Sequence, residues 1–212
     1  MHKKMLNQSL VGIGEGATLS AVGVCLGPRR LIVTTSQVIV PGQPVVSVRA
    51  FGDAFEFEGA LAHVFVWESC SDIAVLGRQP DEAGDIFSHS YDRLLCDRRG
   101  AGFVCALPLE RPLNVHMVTR NGSWVTGTMI VHDQMNPRLL VLRNDARCLS
   151  AVMPGSPVVD DDNNVVGIVS SAHSGTAEVH ITRTTALPFW VLKMLTTDCK
   201  GIHISESNCF TD

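Results

Sequence analysis

The most regular feature of the chain is a series of short apolar runs separated by polar turns. Runs rich in Val, Ile, Thr and Leu recur at intervals of about ten residues, broken by Gly, Pro, Asn and Asp, and this pattern predicts β-strands. The predicted strands are Ala17–Leu26, Arg30–Thr35, Val45–Phe51, Phe55–Phe65, Ile73–Gly77, Gly102–Leu107, Leu113–Thr119, Ser123–His132, Leu139–Arg143, Val165–Ser171 and Glu178–Thr182. A polar stretch over 78–93 divides them into two sets. This division favours two β-barrels or sandwiches joined by a linker.

Two further segments have recognisable local patterns. Residues 188–195 place apolar side chains at helical spacing behind a proline in the first turn, and so predict a helix. Residues 157–168 form two apolar halves around an Asn-Asn pair, which predicts a hairpin because Asn tolerates positive φ. The acidic run Asp160–Asp162 lacks the spacing and downstream Glu of a calcium loop, so we interpret it as a solvated turn.

Composition and charge narrow the class of protein. The 212 residues suffice for one large domain or two small ones, and 45% of them are hydrophobic, which excludes a disordered chain. Seventeen basic and 21 acidic side chains give a net charge of −4, so electrostatics offer no reason to expect nucleic acid or an anionic membrane as partner. We find neither a signal peptide nor an apolar run of the ~20 residues that a membrane-spanning helix needs.

The cysteines point to free thiols rather than to a metal site or a disulfide framework. There are seven, an odd number, without a C-x-x-C pair or regular spacing. A zinc ribbon needs paired cysteines, and a chain of this length does not need disulfides for stability. We therefore expect thiols in a reducing compartment, and no metal or cofactor.

Three segments, in this order, resemble the trypsin-like serine protease family, with its disulfide-poor Deg/HtrA-type branch closest in appearance. LIVTTSQV over 31–38 is similar to the strand and turn that carry the catalytic His of that family. SDIAVL over 71–76 is similar to the segment with the catalytic Asp, and PGSPVV over 154–159 resembles the nucleophile loop, usually Gly-x-Ser-Gly-Gly-Pro. The ALP at 186–188, before the predicted helix, matches the end of such domains. The resemblance implies an all-β fold of two six-stranded antiparallel barrels with a C-terminal helix.

The same resemblance implies a degenerate catalytic triad. Gln37 matches the His, and a carboxamide cannot act as a general base near neutral pH. Asp72 matches the Asp and is retained, with local hydrogen bonding as its expected role. Aligning Pro157 with the loop's proline places Pro154 at the nucleophile, where it offers neither a hydroxyl nor the backbone N–H that the oxyanion hole requires. Val152 falls where the family has the first Gly of the loop.

An active enzyme is the alternative. Ser156 would then be the nucleophile, with two glycines of the loop deleted, and its base would have to be a His outside the matching segment. The remaining candidates are His63, His89, His116, His132, His173 and His180. Cys148 lies six residues before position 154, too far to serve as a nucleophile, and is expected to line a wall or to be buried.

These inferences predict one trypsin-like domain over 1–212 with a defined organisation. It comprises an N-terminal barrel (9–78), an inter-barrel linker (79–93), a C-terminal barrel (94–186), a helix (187–196) and a tail (197–212). We expect a pseudoprotease that binds a protein or an extended peptide, in the cleft between the barrels or at a strand edge, in a regulatory or assembly role. Secreted trypsin relatives have a Cys directly after the catalytic His; here that residue is Val38, which favours an intracellular, cytoplasmic location.

Overall fold

The computed structural model describes residues 6–14, 18–52, 59–78, 86–96, 98, 100–103, 112–131, 138–142, 152–170 and 181–196. The first half contains β1 (Leu10–Ile13), β2 (Ala21–Leu26), β3 (Leu31–Thr34), a 3₁₀ turn (Ser36–Val38), β4 (Val45–Ala50), β5 (Ala60–Glu68) and β6 (Ile73–Gly77). Helix α1 (Ile86–Leu95) follows. The second half contains β7 (Gly102–Phe103), β8 (Leu113–Val118), β9 (Trp124–Val131), β10 (Arg138–Leu142), β11 (Pro157–Val159), β12 (Asn164–Val169), β13 (Ile181–Ala186) and α2 (Phe189–Thr196).

The first six strands close into a barrel in the order β1-β2-β3-β6-β5-β4. Strands β2, β3 and β6 are buried along their whole length. Burial on both faces explains why their sequences are continuous apolar runs instead of alternating apolar and polar residues. One face packs in a cluster with Tyr91 and Leu95 of α1. The other belongs to a larger cluster with residues of the second sheet and of α2, so the two halves share a core.

The second sheet has the strand order β11-β8-β9-β10-β13-β12-β7, and β11 also pairs with β12. That additional pairing joins six strands into a ring, to which β7 adds a short parallel pairing at Asn164 and Val165. The predicted fold class, all-β with two six-stranded barrels and a C-terminal helix, is confirmed. The hairpin is also found: β11 pairs with β12, and Asn163 in the turn has φ +65°.

Two elements were not predicted from the sequence. Strand β1 is only four residues long, too short for its apolar pattern to stand out. Helix α1 lies partly inside the polar stretch that we interpreted as a linker. Its Tyr91, Leu94 and Leu95 have the i, i+3, i+4 spacing of an apolar helix face, but the Ser, His, Asp and Arg residues before and between them mask it.

The other element boundaries agree with the predictions only in part. Strand β13 continues to Ala186, beyond the predicted end at Thr182. The tail over 197–212 lies outside the described residues, and the domain boundaries stay predictions. Neither α1 nor α2 has the length and apolarity to cross a bilayer, and no other helix among the described residues does.

Candidate functional site

The three positions singled out in the sequence lie at the ends of strands near the junction of the barrels. Gln37 is in the 3₁₀ turn after β3, and Asp72 immediately precedes β6. Since Thr34 of β3 pairs with Ala74 of β6, Asp72 comes to lie beside the turn that holds Gln37. Pro154 approaches from the second half: its carbonyl accepts a hydrogen bond from the Val22 N–H at 2.9 Å.

Hydroxyl groups surround the Asp72 carboxylate. Its Oδ1 accepts hydrogen bonds from the Thr35 and Ser36 hydroxyls, both at 2.7 Å, and from the Ser36 N–H at 3.1 Å. Its Oδ2 accepts one from the Ser170 hydroxyl at 2.7 Å. Because Ser170 follows β12 and Asp72 belongs to the first barrel, this carboxylate links the two halves of the molecule. Hydrogen bonds to a charged acceptor are among the stronger ones.

Thr35, Ser36 and Ser170 are not predictable as partners of Asp72 from the sequence, because nothing in their spacing shows that they meet. The available signal was the presence of hydroxyl residues at the ends of two apolar strands. The expectation that Asp72 bonds locally to backbone accounts for the Ser36 N–H but not for the three hydroxyl donors.

The loop before β11 directs its backbone N–H groups into the protein. The donors and acceptors are Met153 to Val118 (3.5 Å), Gly155 to Val169 (2.9 Å) and Ser156 to Met153 (3.1 Å), each to a carbonyl oxygen. Pro154 and Pro157 have no N–H. From 153 to 157, therefore, every backbone N–H that exists points to an internal acceptor. An oxyanion-binding pair of N–H groups requires donors that face a cleft.

Ser156 is in the core. The residue is fully buried, and its hydroxyl oxygen accepts a hydrogen bond from the Val118 N–H at 2.8 Å. A nucleophile must reach a substrate carbonyl. This position therefore does not favour the alternative in which Ser156 attacks a peptide bond.

The histidines that the structure describes lie in other surroundings. The His116 ring nitrogens lie 3.1 Å from the Thr126 hydroxyl and 3.0 Å from the Asp161 carboxylate, on strand and turn residues of the second sheet. His63 is on β5, where desolvation lowers its pKa and its Nδ1 has no hydrogen-bond partner among the described residues. His89 is an exposed residue of α1. His132, His173, His180 and Cys148 lie outside the described residues.

Gln37 and Pro154 line one cavity of about 720 Å³. Neutral side chains form its described wall, among them Thr35, Val40 and Gln43. Where acyl transfer would need a base and a nucleophile, the wall presents a carboxamide and a pyrrolidine ring. Neither group exchanges a proton near neutral pH.

Among the solved structures that this chain resembles are two proteases and an inactive mutant of a third protein. One is the serine protease of a human pathogenic astrovirus, at 15% identity over 87% of this chain and 92% of the other, with a TM-score of 0.54. Another is the protease domain of MamO from Magnetospirillum magneticum, at 18% identity over 92% and 98%, with a TM-score of 0.55. The third is an inactive mutant of Rv3671c from M. tuberculosis, at 15% identity over 85% and 82%, with a TM-score of 0.51. The fold is that of the trypsin-like serine proteases. No family model and none of the curated proteins matches the chain.

The likeness confirms the trypsin-like architecture that the three sequence segments indicated. At identities of 15–18%, the likeness shows the fold and does not show which activity this chain has. Membership of the Deg/HtrA-type branch stays a prediction. Which chemistry this trypsin-like domain performs must be argued from its own residues.

The described residues of the trypsin-like domain contain no cluster of three or more His, Cys, Asp or Glu able to hold a metal ion. In the acidic turn, the Asp160 carboxylate accepts a hydrogen bond from the Asn164 N–H at 2.8 Å, and Asp161 contacts His116. Two of the three acidic side chains therefore have protein partners.

Proposed function

We propose that this trypsin-like domain is a catalytically inactive protease homologue that binds a protein or an extended peptide without cleaving it. The observation that carries the proposal is the loop from Met153 to Ser156. A proline stands at the position aligned with the nucleophile, and the nearby hydroxyl of Ser156 is buried and hydrogen-bonded to backbone. A serine hydrolase needs an exposed hydroxyl beside a base.

The surroundings of Asp72 support the same proposal. In the triad mechanism a carboxylate holds the imidazole in the correct tautomer. Here the Thr35 and Ser36 hydroxyls and the Ser36 N–H all donate to Oδ1, while Ser170 donates to Oδ2. The carboxylate thus has a structural role, which is consistent with Gln37 in place of a histidine.

A fluorophosphonate probe, which labels active serine nucleophiles, tests the loss of activity. We expect no labelling of the wild-type protein at high concentration, while active trypsin in the same reaction is labelled. The decisive comparison is with Ser156→Ala. Labelling of the wild type that disappears in this variant would establish the alternative, an active serine endopeptidase that uses Ser156 with a non-standard base.

An attempt to rebuild the triad tests the role of the Asp72 hydroxyl partners. We expect the double variant Gln37→His, Pro154→Ser to remain inactive toward peptide esters, since three donors already engage Oδ1. The triple variant, which also carries Ser36→Ala and so lacks one hydroxyl donor to Asp72, is the matched comparison for the double variant. Hydrolysis by the double variant at the level of active proteases would contradict a dismantled site.

An assembly role is the second candidate. The side chain of Phe189 at the start of α2 is 79% exposed, an unusual degree for a large apolar residue. Sedimentation velocity of the wild type and of Phe189→Ser, with Val40→Ser as control because Val40 is also exposed (52%), tests it. A loss of self-association only in Phe189→Ser would favour assembly over peptide binding.

We also propose that the protein works in the cytoplasm. Among the described residues, Cys25, Cys70 and Cys96 are not joined in disulfides. Alkylation of freshly lysed cells without reductant should modify all seven cysteines once the chain is denatured. Blocked thiols would indicate an oxidising compartment.

A further inference from the structure

Strand β5 extends past the beginning of its partner β4 and leaves a strand edge open. β4 begins at Val45, which pairs with His63, whereas β5 continues to Glu68. The chain before β4 does not accompany β5 as a strand, because it folds back in a turn in which the Gln43 N–H donates to the Val40 carbonyl at 3.0 Å. Among the described strands, the end of β5 therefore has β6 on one side and none on the other.

The register shows which backbone groups face this edge. The Val64 N–H donates to the Pro44 carbonyl at 2.8 Å, on the side of β4, so Leu76 opposite Val64 directs its own backbone groups away from β5. Successive residues of a strand alternate between the two sides, so Ala74 points away from β5 as well. Trp67 lies opposite Ala74, and its N–H and C=O therefore point to the open side. Neither group has a hydrogen-bond partner among the residues that the structure describes.

The side chains at this edge combine an aromatic ring with a carboxylate. Trp67 is 40% exposed, which makes its indole accessible to a ligand. Glu68 follows it, on the opposite face of the strand, and forms no ion pair with any described residue. A ligand residue paired with Trp67 shares the face of the indole, and its neighbour shares the face of Glu68. The edge thus offers an apolar contact on one face and a negative charge on the other.

We propose that the open edge of β5 at Trp67 binds an extended segment of a partner protein that carries an apolar residue next to a basic one. The apolar residue exchanges backbone hydrogen bonds with the N–H and C=O of Trp67 and packs its side chain on the indole. The neighbouring Lys or Arg pairs with Glu68, as opposite charges do across strands. Main-chain bonds supply affinity in such strand addition, and alternate side chains supply specificity. The inference rests on the proposed peptide-binding function and specifies its edge and its ligand.

The test uses a library of N-acetylated, C-amidated, fluorescein-labelled hexapeptides with one apolar and one charged residue at varied positions, and fluorescence polarisation measures binding. We expect the tightest binders to have Leu and Lys or Arg at consecutive positions. Replacing the basic residue with Glu should weaken binding by about fivefold, and so should moving it two positions from the Leu, which places both side chains on one face. N-methylation of the Leu nitrogen should weaken binding at least as much, because this N–H meets the Trp67 carbonyl.

Trp67→Pro removes the proposed backbone donor from the protein. The Trp67 N–H makes no ladder bond, and proline is tolerated at such strand positions, so we expect the barrel to fold. Trp67→Ala also removes the indole but keeps the N–H, and is the matched control. Trp67→Pro should bind the best peptide about fivefold more weakly than Trp67→Ala, which is the scale of one hydrogen bond. Circular dichroism verifies the fold of both variants.

The charge preference is tested by reversing the charge at position 68. Glu68→Lys should make peptides with Glu beside the Leu bind more tightly than peptides with Lys there, by up to about fivefold. Asp162→Lys makes the same change of charge at an exposed site in the β11–β12 turn and should leave the preference for Lys unchanged. If Trp67→Pro does not fold, this reversal and the N-methylated peptide decide the question.

The outcomes separate this inference from the proposed function. Wild-type binding that is insensitive to N-methylation, to Trp67→Pro and to Glu68→Lys would overturn pairing at the β5 edge and leave peptide binding elsewhere intact. If the wild type binds no peptide in the library, both the inference and the peptide-binding function fail. Sedimentation velocity detects the other occupant: self-association that Trp67→Ala keeps and Trp67→Pro loses would assign the edge to a second copy of the chain and overturn the peptide ligand.

Discussion

Some polar side chains of this domain have a structural role because they form hydrogen bonds with backbone groups inside the protein. The Ser156 hydroxyl satisfies the Val118 N–H inside the protein, and the Tyr91 hydroxyl donates to the Arg30 carbonyl at 3.0 Å. A buried polar group without a partner costs about 1–3 kcal/mol, so such bonds contribute measurably to stability. A serine in a protease-like loop is therefore not by itself a nucleophile.

Ser156→Ala should lower the free energy of unfolding by about 1–3 kcal/mol, because the Val118 N–H is then buried without an acceptor. Urea unfolding followed by circular dichroism measures the change. Ser123→Ala, at an exposed position, is the control and should have an effect within about 0.5 kcal/mol. Equal stability of the two variants would mean that the buried hydrogen bond contributes nothing.

The thiol of Cys25 makes stability depend on pH on the alkaline side. Burial raises its pKa from an ordinary value of 9.0 to about 12. The unfolded chain ionises this thiol above about pH 9 whereas the folded protein keeps it protonated, so its contribution is constant below pH 9 and becomes destabilising as pH rises toward 12. Burial also raises the pKa of Tyr91, which acts in the same direction at higher pH.

Unfolding free energies at pH 8, 9 and 10 test this linkage. A single such group changes stability by up to about 1.4 kcal/mol per pH unit above its unfolded pKa. We expect Cys25→Ala to reduce the loss of stability between pH 9 and 10, whereas Cys96→Ala, at an exposed thiol, leaves it unchanged. Parallel pH profiles of wild type and Cys25→Ala would exclude Cys25 as the source.

Among the structural elements, the loop before β11 depends on one glycine for its conformation. Gly155 has φ +76°, and a Cβ there would lie 2.0 Å from the Val22 carbonyl oxygen and 2.5 Å from the Thr34 hydroxyl. The Thr34 hydroxyl donates to that same carbonyl at 2.7 Å. The loop is thus packed tightly against β2 and β3, which holds Pro154 at the cavity and Ser156 in the core.

Gly155→Ala should destabilise the protein by at least about 3 kcal/mol, because positive φ and close contact with backbone act together. Gly122→Ala is the matched control, since Gly122 has φ +81° but open space around it, and should cost about 1 kcal/mol. Thermal unfolding of both variants measures their losses of stability. A similar loss of stability in the two variants would show that the loop accommodates a Cβ at position 155.

Helix α1 is held in place by hydrogen bonds and apolar packing with the first barrel. Nη1 of Arg30 donates to the Leu95 carbonyl at its C-terminal end at 2.6 Å, and Tyr91 bonds back to the Arg30 carbonyl. Tyr91 and Leu95 pack on the first barrel. Helices of this length are marginal alone, so tertiary packing stabilises most of it.

For the molecule as a whole, Asp72 is the polar link between the halves. Hydrogen bonds to its carboxylate from Thr35, Ser36 and Ser170 span both barrels, whose strands also share one apolar cluster. A domain with a shared core is expected to unfold in one transition. Removing the carboxylate takes one acceptor away from three hydroxyls and an N–H.

Asp72→Ala should lower the free energy of unfolding by about 1.5–3 kcal/mol, and Ser170→Ala by about 1 kcal/mol, because the second change removes one donor only. Asp162→Ala, at an exposed carboxylate in the β11–β12 turn, is the control. Calorimetry measures the stability and the number of transitions. Asp72→Ala and Asp162→Ala of equal stability would contradict a linking role.

Most strands of the fold were predictable because their burial dictates their composition. Ile73–Gly77 was predicted with the observed bounds, since a strand buried on both faces is apolar throughout. β1 and α1 were not predictable in the same way. β1 is short, and the apolar face of α1 is interrupted by polar residues.

By itself, the sequence determined the two sets of strands, the β11–β12 hairpin, the final helix and the identity of the residues at 37, 72 and 154. These follow from local periodicity and residue chemistry. The tertiary structure alone decided that Ser156 is buried, that Ser170 reaches Asp72 across the junction, and that Gln37 and Pro154 line one cavity. Such facts depend on strand register and on contacts between residues far apart in the chain, which no local pattern encodes.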